Sequence, residues 1–457
     1  MRRLGIGLLV FGATVAAFTC PAFERSAEAH VEAQATPRVL TLDDALTMAR
    51  RRNRALVVEQ ARLAQAQTSV DQAWAALFPT VVAQGKYTRN NTQFEFPQPK
   101  TIPDPMDPMK TITVPGPSLL IQPRNQLDGI ASFTAPLIAP PAWAALDAVK
   151  TSAQSAEANF DVSETSVLFG VAQAFYAAGI ADEVLATRRS GIDVASATLA
   201  GAQARLTAGT VTKVDVHRAE LALVRAQQAN REAGYGKEQA YRALATLIQA
   251  DGPFKVQSSP PTQPPAAAGA DELTTALKLR PEFRALTLTA ESAEAQQRAY
   301  GWRWSPTLSG FGNARVFNYD NFARQRHSWA AGVQLDWVIF EGGNRDAQRH
   351  LAAAQATEAR ARADVLRDTV RDDLSNGRSL LATKRDAVDA AERSVQLSRE
   401  TLELVRAQYQ AGNITQVDLL SAQDALVLAE LTLAQAHFDV ATADLTLRRA
   451  AGTFPGK

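Results

Sequence analysis

Hydrophobic side chains fall on two kinds of repeat along this chain. In the C-terminal half, Leu374, Leu381, Val388, Val395, Leu402 and Tyr409 recur every seventh residue, as do Leu419, Leu426, Leu433, Val440 and Leu447. Sustained heptads predict two long helices packed along an apolar seam, with the alanines between them permitting close approach. Burying one such leucine is worth about 1.5–3 kcal/mol, so the seams supply much of the cohesion. Elsewhere the period is two. Leu127, Gly129, Ala131, Phe133, Ala135 and Leu137 alternate with Gln126, Asp128, Ser132 and Thr134. Trp329, Ala331, Val333, Leu335, Trp337 and Ile339 likewise oppose Ser328, Gln334 and Asp336. A strand with one apolar and one polar face separates water from lipid or core.

In chain order, a helix is expected over 41–77, with Asp43 and Asp44 in the first turn, where the helix dipole favours acids, and Pro79 after its end. A strand over 80–91 follows. The proline-rich stretch 94–123 predicts a long loop without regular structure. After the strand at 125–137, Pro140-Pro141 opens a helix running to Gly209, roughly 100 Å if unbroken. Its return runs from Thr212 to Gln249, and an extended Pro, Ala and Ser-rich linker covers 258–270. Then the pattern restarts. Arg280-Pro281-Glu282-Phe283 stands where Asn53-Arg54-Ala55-Leu56 stood, and Pro306 matches Pro79 at the same interval. A strand at 307–318, a second strand, the bend Glu341-Gly342-Gly343, a long helix to Gly412 and a last helix from Thr415 to Ala451 complete the copy. The expected divisions are a leader at 1–29, a first repeat at 30–252, a linker at 253–270 and a second repeat at 271–457. Shorter helices at both ends and on both sides of the linker match half a long one, so the economical packing is a cylinder of long helices and stacked pairs.

Composition narrows the function. Arg2 and Arg3 precede an apolar run from Leu4 to Phe18, and Ala27-Glu28-Ala29 offers small residues to a signal peptidase, so cleavage is expected after Ala29. Cys20 is the only cysteine, and Ala17-Phe18-Thr19 before it departs from the pattern that a lipid anchor requires. Without Arg2, Arg3, Arg25, Glu24 and Glu28, 48 basic and 47 acidic residues become 45 of each, which gives no electrostatic case for nucleic acid. No later stretch is expected to match the roughly 20 apolar residues of a spanning helix, so strands must make any membrane crossing. Histidines 30, 217, 327, 350 and 437 lack metal-ligand spacing, and phosphate loops, zincin pairs, nucleophile elbows and dinucleotide fingerprints are all missing. Neither an enzyme nor a cofactor is expected.

One stretch occurs twice, at 204–221 and 407–424. Gly209 and Gly412 supply the positive φ at which a helix stops. Thr212 and Thr415 cap the next helix, with Asp215 and Asp418 as reciprocal members of capping boxes. Capping alone accounts for the Thr-x-x-Asp spacing, and each copy marks the tip of a helical hairpin. The pattern Tyr-x-Ala-Gly-x-x-Thr-x-x-Asp-Leu-Leu-x-Ala-Gln at 409–423, its weaker copy at 206–220 and the duplication resemble the TolC-like outer-membrane efflux proteins.

The resemblance implies a mainly α fold with a membrane β-barrel: long coiled-coil hairpins forming a periplasmic α-barrel, and four strands per chain in a shared trimeric β-barrel. Four strands cannot close alone; geometry permits two or three copies, and the resemblance implies three. It further implies a passive outer-membrane channel of a tripartite system, a homotrimer in the lipid bilayer joined to a periplasmic adaptor and an inner-membrane pump. The tip turns at Gly209, Thr212, Gly412 and Thr415 become adaptor-docking candidates, and Asp215 and Asp418 candidates for the periplasmic aperture. Some relatives carry a second acid one turn on, where this chain has Ser421. A ring of such carboxylates would favour cations and raise its own pKa. Trp329 and Trp337 are expected to face lipid, and Trp302 and Trp304 to lie at the membrane boundary. The rival readings are a secreted coiled-coil interaction or adaptor protein, and the outer duct of a protein-secretion machine.

Overall fold

The computed structural model describes residues 38–257, 271–320 and 325–455; the expected signal peptide with Cys20, and the linker over 258–270, lie outside them. The first repeat contains β1 (Arg38–Leu40), α1 (Leu42–Arg52), α2 (Arg54–Ala75), β2 (Thr80–Arg89), β3 (Phe94–Phe96), β4 (Lys100–Asp104), β5 (Asp107–Val114), β6 (Leu119–Gln122), β7 (Asn125–Ile138), α3 (Pro140–Thr207) and α4 (Lys213–Ile248). After β8 (Phe254–Val256), the second contains α5 (Glu272–Leu279), α6 (Pro281–Trp302), β9 (Thr307–Phe317), β10 (His327–Asp336), α7 (Asn344–Gln410) and α8 (Gln416–Ala450). The long helices have 68 and 67 residues and the returning ones 36 and 35, so these paired lengths agree to within one residue.

Several sequence expectations are corrected. The helix expected over 41–77 is two helices, broken at Asn53, whose ψ of 125° is extended. Its Oδ1 accepts from the Ala55 and Leu56 amides at 2.9 and 3.4 Å while Nδ2 donates to the Leu247 carbonyl at 2.8 Å, so a buried cap stops one helix and starts the next. Arg280, at the matching point, breaks α5 from α6 ahead of Pro281. The stretch 94–123 is not irregular: β3 pairs β6 and β4 pairs β5 as antiparallel ribbons. Most of its prolines fall between strands, and a two-stranded ribbon is all edge, which tolerates the rest. Phe254–Val256, inside the expected linker, pairs in parallel with β1. Finally, α3 is long and apolar enough to cross a membrane by length and composition. That helix buries Leu168, Val171, Ala172, Phe175 and Ala178 against Leu40, Leu46, Leu244 and Ile248.

Those residues form the main core, where β1, α1, α3, α4 and α8 meet. Tyr241 on α4 ties β8 into it, donating to Asp182 of α3 and accepting from the Val256 amide at 3.3 Å. Burial first, then the Asp182 hydrogen bond, pushes its pKa up to about 12, so the phenol keeps its proton. A second core joins Ala276 of α5 to Val370, Leu374 and Leu381 of α7 and Val440 and Leu447 of α8, and a third near the hairpin end joins Leu402, Leu419 and Ala422. The heptad seam is therefore the α7–α8 interface.

The main sheet is antiparallel in the order β10-β9-β7-β2, with the central β7–β9 pair joining the two repeats. The register sets Val81 opposite Phe133, Phe133 opposite Gly312 and Gly312 opposite Ala331, and Tyr87 opposite Leu127 on the same face. Because opposite residues share a face, all four strands present their apolar sides together. That face is bare: Val81 is 73% exposed, Trp329 77% and Val333 68%. The other face carries Gln84, Lys86, Asp128, Ser132, Asn313, Arg315 and Gln334. β10 ends at Asp336, short of the expected Ile339, and Trp337 beyond it donates to the Trp304 carbonyl at 3.2 Å. A charge on the bare face should cost about 2–4 kcal/mol at mid-membrane, whereas the polar face should accept it. Val333→Arg is therefore expected to lower the yield of assembled protein and its urea midpoint, while Gln334→Arg leaves both near wild type.

Candidate functional site

At the end of the molecule far from the sheet, both hairpin tips are built as the sequence predicts. Gly209 at φ +74° and Gly412 at φ +78° end α3 and α7. The Thr210 amide reaches back to the Arg205 carbonyl at 3.0 Å, and the Asn413 amide to Gln408 at 3.0 Å, which satisfies helix-terminal carbonyls. Thr212 and Thr415 then cap α4 and α8 in full capping boxes. Asp215 Oδ2 accepts from the Thr212 amide and hydroxyl at 3.0 and 2.8 Å; Asp418 Oδ2 accepts from those of Thr415 at 3.0 and 2.6 Å.

The two tips lie side by side and are tied by groups that the sequence did not single out. Gln416, buried immediately after its cap, donates through Nε2 to the Asp215 carbonyl at 2.9 Å. Arg205 in the last turn of α3 donates to the Tyr409 carbonyl at 3.0 Å, its guanidinium 4.3 Å from the centre of the Tyr409 ring. Two turns further in, Gln423 Nε2 donates to Thr198 Oγ1 at 2.9 Å. None of these is repeated by symmetry. The positions matching Gln416 and Arg205 in the other copy are Lys213 and Gln408, so each tip contributes a different half of the contact. The only sequence signal is that mismatch between otherwise parallel motifs.

Both carboxyls sit below the usual aspartate range, chiefly through the threonine hydroxyl and then the threonine amide. Within one chain the cap thus opposes the upward shift that a ring of acids would impose. Asp215 also lies 3.6 Å from Arg218. His217 Nδ1 faces Glu220 at 3.6 Å on one helix face, an ordinary i,i+3 pair. Among the described residues, no group of three or more His, Cys, Asp or Glu side chains is placed to hold a metal ion.

Between the tips and the sheet, the strand-to-helix bends are handled differently in the two repeats. Pro140-Pro141 opens α3 directly, whereas Gly342 and Gly343, at φ +61° and +81°, turn the chain into α7. Buried Arg345 then donates to the Arg303 and Val338 carbonyls at 3.1 and 2.6 Å, pairs with Glu341 at 3.1 Å and stacks 4.2 Å from Trp304. Trp302, Trp304 and Trp337 are about half exposed around it.

Comparison with known proteins places this architecture. The sequence pattern of the family described as outer membrane efflux protein matches residues 45–250 and 273–453. The chain belongs to that family. It is an outer-membrane channel protein of efflux rather than an enzyme. The outer membrane efflux protein BepC of Brucella suis is 26% identical over 67% of each chain, and the outer membrane protein TolC of Vibrio cholerae is 24% identical over 70% of this chain and 76% of its own. In structure, the open state of the MtrE outer membrane channel of Neisseria gonorrhoeae aligns with a TM-score of 0.72 at 20% identity, covering 90% of this chain and 88% of its own. Membership removes the secreted coiled-coil adaptor reading.

A carboxyl whose pKa is depressed on folding stabilises above its unfolded value and loses that contribution as pH falls through the folded one. The tip caps should therefore hold at neutral and mildly acidic pH. Conductance of reconstituted channels is expected to stay level down to about pH 4, the ordinary aspartate range, and to change below it. Thr415→Ala should move that transition to higher pH.

Proposed function

We propose that three copies of this chain close one twelve-stranded barrel in the outer membrane, continued by a helical tunnel into the periplasm. The assembly acts as the passive exit duct of a tripartite efflux system. The carrying observation is the four-stranded sheet with a single bare apolar face and both edges, β2 and β10, unpaired. Lipid cannot satisfy such edges, and four strands are too few to close. Pairing β2 of one copy with β10 of the next removes every edge. The long helices then continue the wall, and the tips at Gly209 and Gly412 become its far aperture, with Asp215 and Asp418 near the opening and the exposed turns receiving a periplasmic adaptor. Energy comes from an inner-membrane pump joined through that adaptor. Efflux is favoured over protein secretion by the relatives, among them the efflux protein BepC.

In this reading the Arg205–Tyr409 and Gln416–Asp215 contacts hold the hairpins in the closed arrangement, and adaptor binding selects the splayed one. Electron microscopy of protein extracted from outer membranes is expected to show threefold particles well over 100 Å long, tapering at one end; soluble monomers or two-stranded rods would overturn the shared barrel. In planar bilayers, Arg205→Ala with Gln416→Ala is expected to raise single-channel conductance several-fold, with Lys213→Ala as a tip control near wild type. Unchanged conductance in the double variant would remove these contacts from the gate.

A further inference from the structure

The two hairpins of the main sheet end differently at the side away from the helices. β9–β10 closes soon after Val316 pairs with His327. β2–β7 continues: the Asn90 amide bonds the Arg124 carbonyl at 2.8 Å, its side chain bonds Pro123 at 2.8 Å, and β3–β6 and β4–β5 carry the ribbon on to a turn at Met106. The outgoing limb from Asn90 to Asp104 can reach up to roughly 45 Å beyond the sheet. The ribbon is closely knit, because a Cβ on Gly116 would stand only 2.1 Å from the Gln98 carbonyl oxygen. Glu95 accepts from Ser118 and Gln93 at 2.7 and 2.6 Å.

A two-stranded ribbon standing alone in water is at best marginally stable. This one exposes Phe94 by 56% and Phe96 by 54%, with Leu119 opposite Phe96 and Ile121 beside them. Burying both rings would remove much of that apolar area from water. Two features point to other copies of this chain as what covers them. The limb carrying both rings prolongs β2, whose free edge meets the next copy in the proposed barrel, so neighbouring ribbons rise side by side. Between 90 and 124 the ribbon also carries three acids, Glu95, Asp104 and Asp107, against three bases, Lys100, Lys110 and Arg124. Zero net charge spares identical neighbours the repulsion that a charged loop would impose.

We propose that the ribbons of neighbouring copies pack on one another through Phe94, Phe96, Leu119 and Ile121, forming a collar that extends the duct wall beyond the outer membrane. The inference rests on the shared barrel. The test is Phe96→Cys, purified in detergent and treated with a bis-maleimide, with the parent chain, whose one cysteine is Cys20, as the blank. Much of the variant is expected to run as covalent dimer on a denaturing gel, the limit that one thiol per mature chain allows a bis-maleimide, with none from the parent. A variant that stays monomeric on the gel while its native mass is that of three chains overturns the collar and leaves the barrel standing. A native mass of one chain overturns the barrel and the collar with it. A cross-linked band that is not a multiple of the chain mass identifies a foreign partner and overturns self-association.

Discussion

A peptide group placed in lipid must find its hydrogen-bond partner within protein, and this constraint shapes the rest of the molecule. Four strands pair with one another and leave two rows of unsatisfied groups, on β2 and β10. No change of side chain can repair that, because the unsatisfied atoms are backbone. In the proposed assembly the missing edges come from identical chains, which requires both edges to lie in one sheet with a consistent apolar side. The β7–β9 pairing achieves this by joining the strands of the two repeats in a register that aligns every apolar face.

Duplication sets the helices under the same sheet. Each repeat feeds two strands from a 22-residue helix and leaves through a helix of nearly 70, so the loads on the two halves match. The joints do not. Asn53 breaks the first entering helix by capping the next and anchoring to Leu247, whereas Arg280 breaks the second ahead of a proline. At the exits, two prolines serve one repeat, while two glycines at positive φ and buried Arg345 serve the other. Once the geometry is fixed by packing, the local chemistry that satisfies it is free to diverge.

That division explains what was legible in the sequence. Periodicity reports which face is buried, so the heptad seam, the alternating strands and the duplicated tips were all visible, and capping boxes could be read because their partners lie three residues apart. The break at Asn53 was hidden because an asparagine cap needs no helix breaker and its second partner is nearly two hundred residues away. The ribbons of 94–122 were hidden because prolines signal irregular chain, yet edge strands tolerate them. The apolar middle of α3 was under-read because it is interleaved with alanine, which packs as core without looking strongly hydrophobic. At the tips, the caps were visible and the ties between them were not, since Gln416 and Arg205 act across more than two hundred residues.

The strength of those ties bears on the gate proposed above. A neutral intramolecular hydrogen bond is worth about 0.5–1.5 kcal/mol net and one from a charged donor about 1.5–3. Gln416 and Arg205 together thus hold the two hairpins of one chain by a few kcal/mol, close to the 1–3 kcal/mol typical of coupling between sites. Gln416 also buries its Oε1 without a partner among the described residues, and an unpaired buried carbonyl offsets part of what its amide gains. A fully satisfied lock would be hard for any partner to open. In the proposed gate, ties of this size bias the hairpins toward the closed arrangement and leave a partner that prefers the splayed form able to reverse that bias, since a ligand shifts an equilibrium only by its differential affinity for the two states. The capping boxes, being local to each hairpin, survive that shift, so the tips can separate without unfolding.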